Sequence, residues 1–521
     1  MDPKATVIVA TGRMDAWLYD APSLGDYHPQ IFTACTRRYP YDTSIQYPHE
    51  GDTTMILKKL KAGGLSQNTY FVSSGSDAAV IDPRREPGDI QACLDLAQEN
   101  CARIRYVFET HRNEDFVHGS LELQSLTDAT IYHSARLPFK YGDPVSDGEE
   151  VPLGRLNVRV VETPGHTDES LTFVLYDSRD PGIALAAFTG DALFVGSTGR
   201  VDLPGEDKRQ ENAGKLYDSI REKILALGDQ LLLCPAHGAG SVCGAGMGDR
   251  DWSTVGYEKC TNPHLQLGRD EFVEYKAGEV FVRPPYFRQM ESFNLHGPPA
   301  MGLRPDPTPM GVRDFEAATC MEDIAIVDVR LPQAFAGGHI PGSYNIWLEG
   351  MALFPGWMFS RDTGLLIVPY YGDDIRKADR MLCRIGYDRM AGYLCGGFED
   401  WQNQALPIGY TGALHVDALK PLLDTSDIRL VDVREPREWQ EGVVPGALLN
   451  YVGDLKEALP DMPHDHPVAV MCSVGHRGSL GASILQRAGF TKVYNVPGGF
   501  TAWKRKGYPF VKYSSGSDRI M

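Results

Sequence analysis

A chain of 521 residues suits about three domains, and 42% hydrophobic with 23% charged residues is enough to build full cores. The formal net charge of -18 argues against nucleic acid or an anionic membrane surface as the main partner. No apolar run approaches the roughly 20 residues of a membrane span, and the short run Ala5–Ala10 lacks the basic start and longer core of a secretory signal, so a cytoplasmic protein is expected.

Residues 1–54 are rich in Tyr, Pro, Asp and Thr and show no period. Their aromatics, among them Trp17, Tyr39 and Tyr47, suggest an extension packed on a neighbour. An α/β domain is expected over 55–297. Thr69–Ser73 and Ala78–Asp82 read as short strands around a polar turn, and Pro87–Asn100 as a helix with Pro at its start. The strand Arg103–Phe108 runs into a polar turn that carries His111, Asn113, Glu114 and Asp115. Leu156–Glu162 ends at Pro164-Gly165-His166, Ile183–Thr189 at Gly190-Asp191, and Leu231–Leu233 at Pro235-Ala236-His237, with Leu171–Tyr176 a further strand. Four strand ends thus present His, His, Asp and His, in the kind of loop that rigidly positions functional groups.

A Pro-rich linker, 298–310, leads to an internal repeat. Ile326-Val327-Asp328-Val329-Arg330 recurs as Leu430-Val431-Asp432-Val433-Arg434, and Gly396-Gly397-Phe398 through Trp401 recurs as Gly498-Gly499-Phe500 through Trp503. The offset is far longer than a solenoid period of roughly 20–50 residues, so one domain is duplicated, over 311–410 and 411–512, before a tail at 513–521. Short buried strands alternate with helices in each copy, which implies parallel sheets covered on both faces.

Two His and one Asp on one face of a metal leave positions open on the other, the arrangement of non-haem Fe(II) oxygenases. His111, His166 and Asp191 have those types. Their spacing resembles the metallo-β-lactamase superfamily, whose usual loop is H-x-H-x-D-H. Here Asn113 and Phe116 replace two of its His. A dinuclear zinc hydrolase needs both, and Phe cannot ligate. The persulfide dioxygenase branch does not need them. That resemblance implies an αββα sandwich holding one Fe(II) per chain through His111, His166 and Asp191. It further implies that Arg200, in Phe194–Asp202, binds the thiol carrier of the substrate, and that Asn113, Asp115 and His237 orient ligands or bind substrate. Cys243, in a small polar loop directly after His237, suits a thiol that meets substrate, or equally an inert buried one.

The ten Cys form no tight framework, which fits reduced thiols, mostly small buried hydrophobes; Cys383 and Cys395 are expected in the core. Cys472 is different. It follows the strand Val468–Met471, in a loop that opens the helical segment Leu480–Ala488, where backbone amides favour a thiolate and can cradle a persulfide. The loop MCSVGHRG resembles the active-site loop of rhodaneses, as do the flanking repeat segments. That resemblance makes Cys472 the sulfur-carrying nucleophile, with Arg477 a positive charge for an anionic donor and Gly475 and His476 at the substrate. The equivalent loop of the first copy, Val368 to Asp374, has no Cys and is acidic, so a structural or docking module is expected there.

The expected architecture is a metallo-β-lactamase αββα sandwich followed by two rhodanese-like α/β domains with parallel sheets. The implied chemistry is oxidation of a small thiol persulfide by O2 to sulfite, with sulfur transfer through Cys472 to sulfite or a thiol. Membership of this branch also implies a homo-oligomer. Two other readings stay open: a zinc thioester hydrolase of the glyoxalase II type, and a sulfur-relay scaffold in which only Cys472 is active.

Overall fold

The computed structural model describes residues 42–47, 55–244, 246–302 and 306–513. The expected packing of 1–54 lies outside them apart from the strand 42–47, as does the tail beyond Tyr513. Two compact units result. One runs to Gly278 and includes Arg288–Met301; the other comprises Glu279–Phe287 and the chain from Gly302. No helix among the described residues is long and apolar enough to cross a membrane.

In the first unit β1 (Asp42–Tyr47), β2 (Met55–Lys61), β3 (Asn68–Ser74), β4 (Asp77–Ile81), β5 (Arg103–Phe108), β6 (Thr130–Ser134) and β7 (Asp143–Val145) form one sheet in sequence order. It is antiparallel up to β4 and parallel from β4 onward. The second sheet takes β8 (Glu150–Leu153), β9 (Leu156–Glu162), β10 (Leu171–Asp177) and β11 (Asp180–Gly190). After a small hairpin of β12 (Leu193–Phe194) and β13 (Ser197–Thr198), it adds β14 (Leu232–Pro235) and β15 (Ser253–Thr254).

Every residue of β10 is buried, because its two faces meet two different cores. Phe173 and Leu175 join Phe108, Tyr70 and Phe188 between the sheets. Val174 and Tyr176 pack outward with Leu216, Ile220 and Phe272 from the covering helices. Ile90, Cys93 and Leu96 of the helix Pro87–Glu99 cover the other sheet. The result is helix, sheet, sheet, helix, with the ends of β5, β9 and β11 leading into the turns that carry the candidate ligands and those of β4 and β14 leading to Asp82 and His237.

The second unit contains two five-stranded sheets. β16 (Pro309–Met310), β17 (Ile324–Asp328), β18 (Tyr344–Asn345), β19 (Gly364–Val368) and β20 (Met390–Leu394) stand in the order β16-β20-β19-β17-β18. β21 (Gly412–Ala413), β22 (Arg429–Asp432), β23 (Leu448–Leu449), β24 (Val468–Met471) and β25 (Val493–Asn495) repeat it as β21-β25-β24-β22-β23. All pairs are parallel.

The repeated residues have the same job in both copies. Arg330 binds Asp328 and lies 4.3 Å from the Phe398 ring, and Arg434 binds Asp432 and lies 3.8 Å from the Phe500 ring. The two arginines also donate to Gly338 O and Gly442 O, each at 2.8 Å. Buried charge is tolerated because each guanidinium has a paired carboxylate, a carbonyl and a ring.

Candidate functional site

The first unit brings His111, His166 and Asp191 together, and each has one polar atom committed and one free. Asp82, at the end of β4, accepts the Thr110 hydroxyl at Oδ2 and the Thr110 amide at Oδ1, both at 2.8 Å. With its hydrogen given away, the Thr110 hydroxyl accepts from His111 Nδ1 at 3.0 Å, leaving the lone pair on Nε2. His166 Nδ1 donates to Arg200 O at 2.9 Å, which fixes the same tautomer. Asp191 Oδ1 accepts from His237 Nδ1 at 2.7 Å. Gly190 has φ +52, and a Cβ there would come within 2.7 Å of Thr110 Oγ1, so the Gly-Asp sequence is needed for this approach.

The remaining atoms, His111 Nε2, His166 Nε2 and Asp191 Oδ2, are buried and without hydrogen-bond partners. They lie within 4.8 Å of one another. Unsatisfied buried polar atoms cost about 1–3 kcal/mol each. Three that converge, with donors of imidazole and carboxylate type, fit a divalent metal with open positions. Burial alone opposes charge on His166, but Glu114 and Asp191 outweigh it and raise that imidazole to about 9, so without a cation a proton occupies the Nε2 position that a metal would take. Burial holds His111 far below its ordinary value.

In the second unit, β24 delivers Cys472 into a loop closed from behind by the Gly-Gly-Phe turn. Phe500 N–H donates to Cys472 O at 2.8 Å and Thr501 N–H to Ser473 O at 3.0 Å. A Cβ on Gly499 would strike Cys472 O at 2.0 Å. Gly475, in the left-handed region, caps the helix His476–Arg487, and its N–H donates to Cys472 Sγ at 3.0 Å. The helix begins several residues before the expected Leu480, because Gly475 turns the chain directly into it. The sulfur therefore sits at a helix N-terminus with an amide aimed at it.

Two family models match this chain: the metallo-beta-lactamase superfamily over 62–237, and the rhodanese-like domain over 313–404 and 415–506. The human protein "Persulfide dioxygenase ETHE1, mitochondrial" is 35% identical over 221 residues, which cover 42% of this chain and 78% of that one. The chain belongs to the persulfide dioxygenase family. To the sandwich it adds two C-terminal rhodanese-like domains. A solved metallo-beta-lactamase from Staphylococcus aureus subsp. aureus COL is 30% identical, with a TM-score of 0.57, and covers 65% of this chain and 98% of that one. The hydroxyacylglutathione hydrolase GloC of Haemophilus influenzae is 28% identical over 234 residues, 40% of this chain and 98% of that one.

Around these three converging atoms the other expected residues take varied places. Asn113 turns its amide to His111 O and His118 Nε2, at 3.4 and 3.2 Å, and so braces the loop. Phe116 is buried, with its ring 6.4 Å from that of His237. Asp115 Oδ2 stands 3.0 Å from His237 Nε2 and accepts from Gln67 Nε2 at 2.8 Å. The Arg200 guanidinium is fully buried and paired with Asp202 through two contacts of 2.6 Å, while its main-chain oxygen orients His166. Cys243 is also fully buried, and burial, with Asp115, Asp191 and Glu114 nearby, pushes its thiol up.

Arg477, expected to face an anionic donor, is bound bidentately to Glu438 at 2.6 and 2.8 Å and also to Ser473. Burial opposes ionisation of Glu438, but Arg477 outweighs it and holds the carboxyl at about 2. His476 is half-buried, with its ring 5.1 Å from that of Trp347 in the first copy. The Cys-less loop of that copy is closed by Asp374, which accepts the Tyr371 amide at 2.9 Å and caps the helix Gly372–Arg384. Five of the nine described cysteines are buried, Cys383 among them. Cys395 is exposed, contrary to expectation, because β20 ends at Leu394 and the chain turns outward at Gly396.

Glu114 was named in the polar turn but given no role by the sequence. Its Oε1 is buried without a hydrogen bond and stands 3.2 Å from His166 Nε2. An acid beside Asp115 in a polar turn reads as solvated, and only the fold shows it turned inward. Thr110 and Asp82 were missed for a similar reason: their roles depend on the approach of two strand ends.

Proposed function

We propose that the first unit oxidises the outer sulfur of a low-molecular-weight thiol persulfide with O2, at one Fe(II) per chain held by His111, His166 and Asp191. The products are sulfite and the free thiol, with one water supplying the third oxygen. The second unit then carries sulfane sulfur on Cys472. Cys472 Sγ bonds to the outer sulfur of a persulfide donor as the donor's S–S bond breaks and its thiol leaves. Sulfite next takes that sulfur, giving thiosulfate. The cytoplasm is the proposed location.

The observation that carries this reading is the convergence of three buried atoms without partners, His111 Nε2, His166 Nε2 and Asp191 Oδ2, in a member of the persulfide dioxygenase family. Ferrous iron supplies the one-electron chemistry that lets O2 react with a thiol sulfur. The protein's own contribution is orientation and exclusion. Asp82 and Thr110 hold the His111 tautomer, Arg200 O holds that of His166, and the buried walls keep out bulk water. At Cys472 the Gly475 amide and the helix start stabilise negative charge on sulfur. Fusing the two sites raises the effective concentration of a shared sulfur pool.

Each site has a knockout that spares the other. His111→Ala should abolish persulfide-dependent O2 uptake while Cys472 sulfur transfer survives, and Cys472→Ser should do the reverse. Loss of O2 uptake in folded Cys472→Ser would refute the division of labour. The similarity to a hydroxyacylglutathione hydrolase supports a second reading, thioester hydrolysis. Asn113 and Phe116 stand against it, and thioester turnover by the zinc-loaded chain would establish it.

A further inference from the structure

The first copy has no thiol in its own loop, yet it lies against the helix that opens at Cys472. Both copies belong to the second unit. His476, Ser479, Ser483 and Arg487 follow one another at helical spacing, so they share one face of the helix His476–Arg487. That face meets the segment 342–347 of the first copy. Arg487 donates to Gly342 O, and its guanidinium lies 4.4 Å from the Tyr344 ring. Ser483 Oγ accepts the Asn345 main-chain N–H at 3.2 Å, and Ser479 Oγ donates to Asn345 Oδ1 at 2.6 Å. The His476 ring packs on that of Trp347.

Asn345, Ser479 and Ser483 are all buried. Asn345 Nδ2 donates to Asp328 O and Arg330 O, at 3.0 and 2.9 Å, so both ends of the side chain are committed. The sheet itself does not require an Asn there. Asn345 pairs with Asp328 in the ladder, and the matching partner of Asp432 in the second copy is Leu449. A buried polar pair specifies one arrangement, where an apolar contact would tolerate sliding. From Asn345 a line of hydrogen bonds reaches the sulfur. Ser479 Oγ binds Asn345, Ser479 N–H donates to Gly475 O at 3.1 Å, and Gly475 N–H donates to Cys472 Sγ at 3.0 Å. Asn495 Nδ2, on β25, also donates to Gly475 O, at 3.0 Å.

We propose that the Cys-less copy takes part in sulfur transfer as a clamp on this helix, with Asn345 the positioning residue that keeps the Gly475 amide on Cys472. The proposal rests on the sulfur-transfer reading of Cys472. Asn345 acts through Ser479 and Gly475, so its loss slows the chemical step and leaves substrate binding in place.

The test uses the full chain, with glutathione persulfide as donor and sulfite as acceptor, and measures thiosulfate formation. In parallel, alkylation of Cys472 by iodoacetamide at neutral pH is followed by peptide mass spectrometry. Asn345→Leu carries the side chain found at the matching position of the second copy. It should lower kcat about tenfold with KM within about twofold. It should also slow alkylation about threefold, as the amide drifts off the sulfur. Ser479→Ala cuts the same line of bonds from the helix side and should do the same. It keeps the test decisive if circular dichroism shows Asn345→Leu to be unfolded. The double variant should be no slower than the more affected single one, since both break one bond. A wild-type kcat in a folded variant would overturn the proposal. So would unchanged or faster alkylation, the faster rate being that of a merely loosened loop, and so would effects that multiply in the double variant. Alkylation needs no donor. A wild-type chain that transfers no sulfur would therefore refute the reading of Cys472, while the clamp on its thiol is still decided.

Discussion

Asp82 is not one of the converging donors, yet it sets the direction of His111. Its carboxylate takes both hydrogens of Thr110, so the hydroxyl has only a lone pair to offer His111. Asp82→Asn should weaken metal binding by about 10–100-fold, read by chelator competition, with the far-ultraviolet spectrum unchanged. Thr110→Val should do the same. Glu438 makes a pH-dependent prediction. Its carboxyl is held at about 2 against an ordinary 4.5, so its pairing with Arg477 is fully present above pH 4.5 and is lost as pH falls toward 2. Urea unfolding of the wild type should lose about 3 kcal/mol across that window. Glu438→Gln should be less stable at neutral pH and lack this dependence. The convergence of His111, His166 and Asp191 was legible because each lies in the turn that follows a strand. The partner of Arg477 was not, because nothing local announces that a Glu 39 positions earlier will reach it.

At the scale of elements, strands in which apolar residues line at least one face were readable to the residue. Arg103–Phe108, Leu156–Glu162 and Val468–Met471 are examples. β11 starts at Asp180 rather than Ile183, because pairing with β10 carries its ladder through a polar stretch with a register shift, a tertiary effect that local propensity does not report. The duplicated Asp-Val-Arg was visible as a repeat but not as a lock. Its physical content is one ion pair per copy, buried against the ring of the Gly-Gly-Phe turn. Asp432→Ala would strand the Arg434 charge in the core and should cost about 3–5 kcal/mol, measured by denaturant unfolding. Asp328→Ala should have a comparable effect in the other copy. Loss of under 1 kcal/mol in both would mean that the repeated pair is decorative.

For the whole molecule, the αββα sandwich and the repeated parallel sheets give the two proposed chemistries separate scaffolds on one chain. Each needs its reactive atoms at strand ends, and each has its own buried core to hold them there. The proposed iron oxygenase chemistry of the first unit is what everything else at this scale depends on. The most direct measurement is to purify the chain anaerobically and determine iron content together with persulfide-dependent O2 consumption. The expected result is about one iron per chain and O2 uptake that chelation abolishes, with Cys472 sulfur transfer left intact. A chain that carries zinc without iron and consumes no O2 when reloaded with Fe(II) would contradict it, leaving Cys472 as the sulfur chemistry of this protein.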